Sequence, residues 1–151
     1  MNNGEFYLAD AIEAIDEVLA SGGEFRLYPK GTSMLPLLKE GRDSVTLTAP
    51  PRRLQKYDII FYQRDNGQYV LHRVVRVGDT YTCMGDHQYA PERGIRRDQI
   101  IAVCSSFVRK GKSIPSNSKR WRIYAILWHY SRPVRRVLNG ARGWIARIFK
   151  N

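Results

Sequence analysis

Between Lys119 and Asn151 the sequence contains no aspartate and no glutamate. Nine basic residues fall in that stretch (Lys119, Arg120, Arg122, Arg132, Arg135, Arg136, Arg142, Arg147 and Lys150). They account for nine of the net charge of +11 and leave residues 1–118 with +2. A basic chain invites nucleic acid or an anionic membrane as partner, but here the charge belongs to the C-terminal stretch and not to the body. Long apolar runs are also missing. The longest, Ile123 to Trp128, falls far short of the roughly 20 residues that span a bilayer. Acidic residues come early and no unbroken apolar run precedes them, so neither a signal peptide nor a transmembrane anchor is expected, and the location expected is cytoplasmic. Cysteine is scarce: Cys83 and Cys104 fit no metal-binding spacing and read as small apolar strand residues. No metal and no cofactor are expected.

What is present is enough for one compact domain. The chain has 151 residues and is 43% hydrophobic, which argues against disorder. Leu8, Ile12, Ile15 and Leu19 recur at helical spacing with Asp10, Glu13, Asp16 and Glu17 on the other side, and Ser21-Gly22-Gly23 supplies a stop. Phe25, Leu27 and Pro29 alternate with polar residues as a short strand, and Ser44 to Leu47 reads as another, ended by Pro50-Pro51. Asn66-Gly67 between the β-rich runs Asp58–Tyr62 and Tyr69–Val77 predicts a hairpin. A second hairpin turns at Gly78-Asp79 and returns through Tyr81–Met84, and Ile100–Val103 reads as a last strand.

The chemistry is concentrated at Gly31-Thr32-Ser33-Met34-Leu35-Pro36. A serine between a glycine turn and a proline sits on a bend that can expose its hydroxyl. Many serines in such settings only cap a turn, and a nucleophilic serine needs a neighbouring base. Period two in Tyr69–Val77 puts Val70, His72 and Val74 on one face, which makes His72 the candidate base. The plainer role for such a histidine is a core residue satisfied by a backbone carbonyl.

Ser33-Met34-x-Pro36, then Asp58-Ile59-Ile60, His72-Arg73-Val74-Val75 and Gly85-Asp86, follow the order and rough spacing of the boxes of signal peptidase I-type serine peptidases. The chain resembles that family over about residues 25–104, and the LexA-type repressor peptidases share a similar serine box and β fold. In bacterial signal peptidases the base before the arginine is lysine. Histidine here is similar to the endoplasmic-reticulum and archaeal type, whose catalytic set is Ser, His and Asp. The resemblance implies a mainly β fold of hairpins and endoproteolysis of a peptide or preprotein through an acyl-enzyme. It implies Ser33 as nucleophile, His72 as base and an orienting acid at Asp86, with Glu92 also within the spacing. A histidine with an ordinary pKa near 6.5 accepts the serine proton at neutral pH. Three departures stand out: Tyr57 occupies a family glycine position, Gly31 stands where many members carry a serine near the oxyanion, and His87 replaces an asparagine. No counterpart of the family's N-terminal anchor is expected from these residues.

The expected organisation is a peptidase domain over 1–110 including the N-terminal helix, a linker at 111–118 and a helical tail at 119–151. In the tail, Val134, Val137, Leu138, Ala141, Ile145 and Ile148 follow helical spacing, Arg135, Arg136, Arg142 and Arg147 lie mostly elsewhere, and Pro133 divides it. With Trp128, Trp144 and Phe149 this is the pattern of a helix lying on an anionic bilayer, so peripheral membrane contact is expected and nucleic-acid binding is not; the plainer alternative is a helix packed on its own domain with a solvated basic face. Two other readings stand beside the peptidase. One is a catalytically silent peptide-binding module on the same fold, and the other a LexA-like regulator, for which the first 25 residues offer no helix-turn-helix.

Overall fold

The structure is a computed structural model that describes the backbone of residues 3–148 and the side chains of residues 11–143. Parts of the helical patterns read above, Leu8 and Asp10 at one end and Trp144, Ile145, Arg147, Ile148, Phe149 and Lys150 at the other, lie outside the described side chains. The fold is mainly β. Helix α1 (Asn3–Ala20) leads to strands β1 (Phe25–Leu27), β2 (Ser44–Thr48), β3 (Ile59–Gln63), β4 (Tyr69–Val77), β5 (Tyr81–Met84), β6 (Glu92–Ile95), β7 (Ile100–Arg109) and β8 (Lys112–Pro115). Helices α2 (Lys119–Tyr130) and α3 (Arg132–Ile148) close the chain. All pairings are antiparallel in the order β1-β2-β7-β3-β4-β5-β6, and β8 pairs with the second half of β7.

Alternation along the strands sorts side chains into two cores. Ile59, Phe61 and Leu71 join Val45, Leu47, Ala102 and Phe107 on one face, under Ile15 and Leu19 of α1 and Leu37 and Leu38 of the serine turn. Ile60, Tyr62 and Val74 face the other way, among Leu54, Tyr81, Cys83, Ile95 and Ile100. The hairpin set by Asn66-Gly67 fixes the register Ile60↔His72, which puts His72 on the second face.

Two elements differ from the sequence-based expectation. Residues 111–118 are not a plain linker, because Lys112–Pro115 form β8. The reason is a two-residue turn in which Lys110 (φ 51) and Gly111 (φ 77) both take left-handed backbone, matching the twist of an antiparallel hairpin. Strand β7 therefore runs on to Arg109, and it is not the last strand. The second addition is β6, a short strand beside β5 that carries Glu92.

Candidate active site

The serine turn is tied down on several sides. The Gly31 N–H donates to Glu40 Oε2 at 2.7 Å, the Leu38 N–H closes a turn on the Met34 carbonyl at 2.9 Å, and Arg109 Nε of β7 reaches the Leu37 carbonyl at 3.0 Å. The buried Asp43 carboxylate accepts from Arg42 and from the Lys39 and Lys110 amides, and the Arg42 guanidinium is the chief reason its pKa is held down to about 2. This network fixes the turn against the β7–β8 hairpin, leaving Ser33 half-buried. Its hydroxyl takes part in no hydrogen bond among the described residues, so no competing partner fixes it.

The backbone of Ser33 is clasped by Gly85-Asp86-His87. The His87 N–H donates to the Ser33 carbonyl at 2.9 Å, and a Cβ at Gly85 would meet that same carbonyl oxygen at 2.5 Å. Arg73 pairs with Met84, so the next residues along the two chains, His72 and Gly85, are neighbours at the end of that ladder. The serine turn and the histidine thus border the same glycine, although 39 positions separate them in sequence. No hydrogen bond joins Ser33 Oγ to either His72 nitrogen among the described residues.

His72 is 2% exposed. Burial disfavours the imidazolium and lowers its pKa to about 4; the Glu92 carboxylate opposes the shift, the Arg64 guanidinium adds to it, and the Asp86 carboxylate opposes it more weakly. The ordinary histidine value therefore does not apply here. At Nδ1 the ring meets Tyr62 Oη at 3.3 Å, and Tyr62 donates its one proton to Glu92 Oε2 at 2.8 Å. With that proton committed, Tyr62 Oη faces the imidazole as an acceptor. His72 then carries its proton on Nδ1 and leaves Nε2 as a base. Arg64 grips both Glu92 oxygens at 2.8 Å and, as the leading cause, lowers the pKa of that carboxylate; burial raises that of the Tyr62 phenol.

Asp86 is differently employed. Successive strand residues face opposite ways, so Arg73 points away from His72, and Arg73 Nε and Nη2 hold both Asp86 oxygens at 2.7 and 2.8 Å in a buried pair. The carboxylate expected to orient His72 instead neutralises an arginine, and the acid in contact with the histidine's partner is Glu92. No family model, no curated protein and no solved structure matches this chain. Its chemistry is read from its own side chains.

Tyr57, the position at which the resembled family has glycine, has φ of 78°, the left-handed backbone that glycine adopts without cost. Tyr57 is held there by its N–H on the Val74 carbonyl at 2.7 Å, by Arg73 Nη1 on its own carbonyl at 3.0 Å, and by an edge contact with the His129 ring. Beside Glu92 lies an open cleft of about 600 Å³ lined by Arg64, Gln88, Tyr89, Ala90, Pro91 and Glu92. No group of three or more potential metal ligands occurs among the described residues.

Sequence reading missed Tyr62 and the engaged state of Asp86. The signal for Tyr62 was available: the Asn66-Gly67 turn pairs Ile60 with His72, which makes Tyr62 a diagonal same-face neighbour within reach of an aromatic side chain.

Proposed function

We propose that the chain is a serine endopeptidase of the signal peptidase type, acting on a peptide or preprotein with Ser33 as nucleophile and His72 as base. The observation that carries this reading is the hydrogen-bonded series Arg64–Glu92–Tyr62–His72, which meets His72 at Nδ1, leaves its Nε2 without a hydrogen bond among the described residues, and ends on a residue whose backbone neighbours the glycine that clasps Ser33. In the reaction, Ser33 Oγ attacks the scissile carbonyl carbon while its proton passes to His72 Nε2. The Ser33 N–H supports the oxyanion, the tetrahedral intermediate collapses as the C–N bond breaks, and the imidazolium returns the proton to the departing amine. Water then gives a proton to the same nitrogen as its oxygen attacks the ester carbon, the C–Oγ bond breaks, and the imidazolium returns the proton to Ser33 Oγ as the carboxyl product leaves. While His72 is charged, its Nδ1–H donates to Tyr62 Oη, and Tyr62 passes the stabilisation of the ionised Glu92 to the ring. Burial makes His72 a weak base, and the Glu92 carboxylate at the far side of Tyr62 opposes that effect only in part.

One observation favours a second reading, a silent peptide-binding module: Ser33 Oγ and His72 share no hydrogen bond among the described residues. A catalytic serine and base can be loosely aligned before substrate binds, so the geometry is compatible with both readings. For location we propose the cytoplasmic side, at a membrane surface.

The deciding experiment is cleavage of a quenched-fluorescence peptide library by the wild type and by Ser33→Ala. Loss of cleavage in a variant that melts like the wild type supports the peptidase, since a hydroxyl without partners contributes within about 0.5 kcal/mol to stability. Cleavage unchanged by Ser33→Ala sinks it, and a wild type that binds library peptides without cutting any assigns the silent module.

A further inference from the structure

An amphipathic helix on a protein surface ordinarily turns its apolar side inward. Over its described residues, helix α3 does the reverse. Its attachments are polar and cationic: Arg132 is buried and donates to His129 Nδ1 at 2.6 Å, the Arg135 guanidinium lies 3.7 Å from the centroid of the Trp128 ring, and Asn139 Nδ2 donates to Tyr89 Oη at 2.7 Å. Val134, Val137 and Leu138 stand on the outside, 57–71% exposed. Helix α2 is seated by Ala125, by Trp121 against Phe107, and by Trp128, whose Nε1–H donates to the Asp86 carbonyl at 2.7 Å. Its Ile123, Ile126, Leu127 and Tyr130 are 39–67% exposed. Both helices thus present apolar residues outward, uncovered by the rest of the described chain.

We propose that this outward apolar strip, with the cations beside it, docks on an anionic lipid bilayer. Charge complementarity selects the occupant. Lys119, Arg120, Arg136 and Arg142 are exposed on these helices, and no carboxylate occurs anywhere from residue 119 onward. A second copy meeting the strip symmetrically would set cation against cation with nothing acidic to relieve it. Nucleic acid would engage the cations and leave the apolar residues in water. A bilayer with acidic headgroups accepts both, cations at the phosphates and aliphatic side chains among the acyl chains. No helix among the described residues is long and apolar enough to cross the membrane, so the contact is peripheral. Trp128 and Asn139 also fasten these helices to Asp86 and Tyr89, so the surface that meets lipid is joined through residues 85–89 to the clasp on Ser33. The proposal does not depend on catalysis and holds equally for a silent module.

The test is sedimentation of the full-length protein with vesicles of phosphatidylglycerol and phosphatidylcholine, compared with phosphatidylcholine alone. Binding should be about tenfold tighter to the anionic vesicles and should weaken at high salt without vanishing. Val137→Asp together with Leu138→Asp changes two exposed residues, so the variant should fold as the wild type by circular dichroism while binding about tenfold more weakly. No vesicle binding by the wild type, or equal binding by the variant, overturns the proposal. Vesicle binding absent while a concentration-dependent dimer disappears in the variant would assign the strip to a second copy. Vesicle binding absent while a DNA duplex binds both proteins equally would assign the cations to nucleic acid.

Discussion

Gly85 lies so close to Ser33 that a Cβ on it would sit 2.5 Å from the Ser33 carbonyl oxygen. That oxygen already accepts from the His87 N–H, so the serine turn is pressed onto the end of the β4–β5 ladder by backbone on backbone, where no flexible side chain can yield. Gly85→Ala should therefore move the turn. We predict a loss of about 1 to 3 kcal/mol in stability from the overpacking. The fall in kcat/KM should be larger than that loss of fold explains, on the order of a hundredfold, because it displaces the nucleophile from the base. Thermal melting and cleavage kinetics on one variant check both, and wild-type kinetics in Gly85→Ala would show that the clasp does not position Ser33.

The pH dependence follows from the lowered pKa of His72, about 4 in the fold. If Nε2 is the base, kcat/KM should rise through a limb near pH 4 and stay flat across the neutral range, unlike a histidine with an ordinary value near 6.5. Stability should change in the same direction. Because the folded pKa lies below the unfolded one, the unfolded chain binds the extra proton between those values. The fold therefore weakens as pH falls from about 6.5 to about 4, by roughly 3 kcal/mol at about 1.4 kcal/mol per unit. Glu92→Gln removes a carboxylate that raises the His72 pKa and leaves Arg64 unpaired, so the limb should move to lower pH. Titration of the His72 ring by NMR reads the shift directly, with or without a substrate, and a limb near 6.5 would contradict the buried, neutral imidazole.

Two acids, two effects. Asp86→Asn leaves Arg73 buried beside a neutral amide, and breaking such a pair from one side costs about 3 to 5 kcal/mol. Its cost in activity should track the loss of folded protein. Glu92 is partly exposed, so Glu92→Gln should cost about 1 kcal/mol or less in stability while changing the pH profile. Denaturant titrations of both variants beside their pH–rate profiles separate the roles: Asp86 raises the His72 pKa less than Glu92 does, so the limb should move less in Asp86→Asn, and a larger shift there than in Glu92→Gln would restore Asp86 as the orienting acid.

The parts of this molecule that could be read from sequence are those set by short-range periodicity and turn chemistry. Strands β4 and β5 match their expected bounds because Asn66-Gly67 and Gly78-Asp79 punctuate clean β runs. Strand β8 escaped because its turn is made by Lys110-Gly111, and a lysine in left-handed backbone leaves little mark in a sequence. Strand β6 escaped because Glu92-Arg93-Gly94-Ile95 shows no alternation and Gly94 takes φ of 75°. At the candidate site, Ser33 and His72 stand out in the sequence by their local settings. The role of Asp86 was not, because it depends on which face of β4 the carboxylate meets, and that is decided by a pairing with β5 and not by spacing. The tail shows the same limit: its amphipathic period was plain, but that its polar side would dock and its apolar side face outward depends on Trp128, Arg135 and Asn139 finding partners in residues 85–89 and in one another.

Strand β6 is the end of the sheet, paired only with β5 among the described residues, and it is also where Glu92 leaves the ladder to meet Tyr62 and Arg64. The bonds that polarise His72 and the bonds that pin this outer strand to β3 are therefore the same bonds. Thermodynamic reciprocity then ties the two together: whatever loosens β6 weakens the hold on the imidazole, and whatever engages the imidazole in its Nδ1–H form tightens β6 by an equal free energy. The outermost strand is in that sense a reporter of events at the buried histidine, and its amide exchange would register occupancy of a site it does not touch.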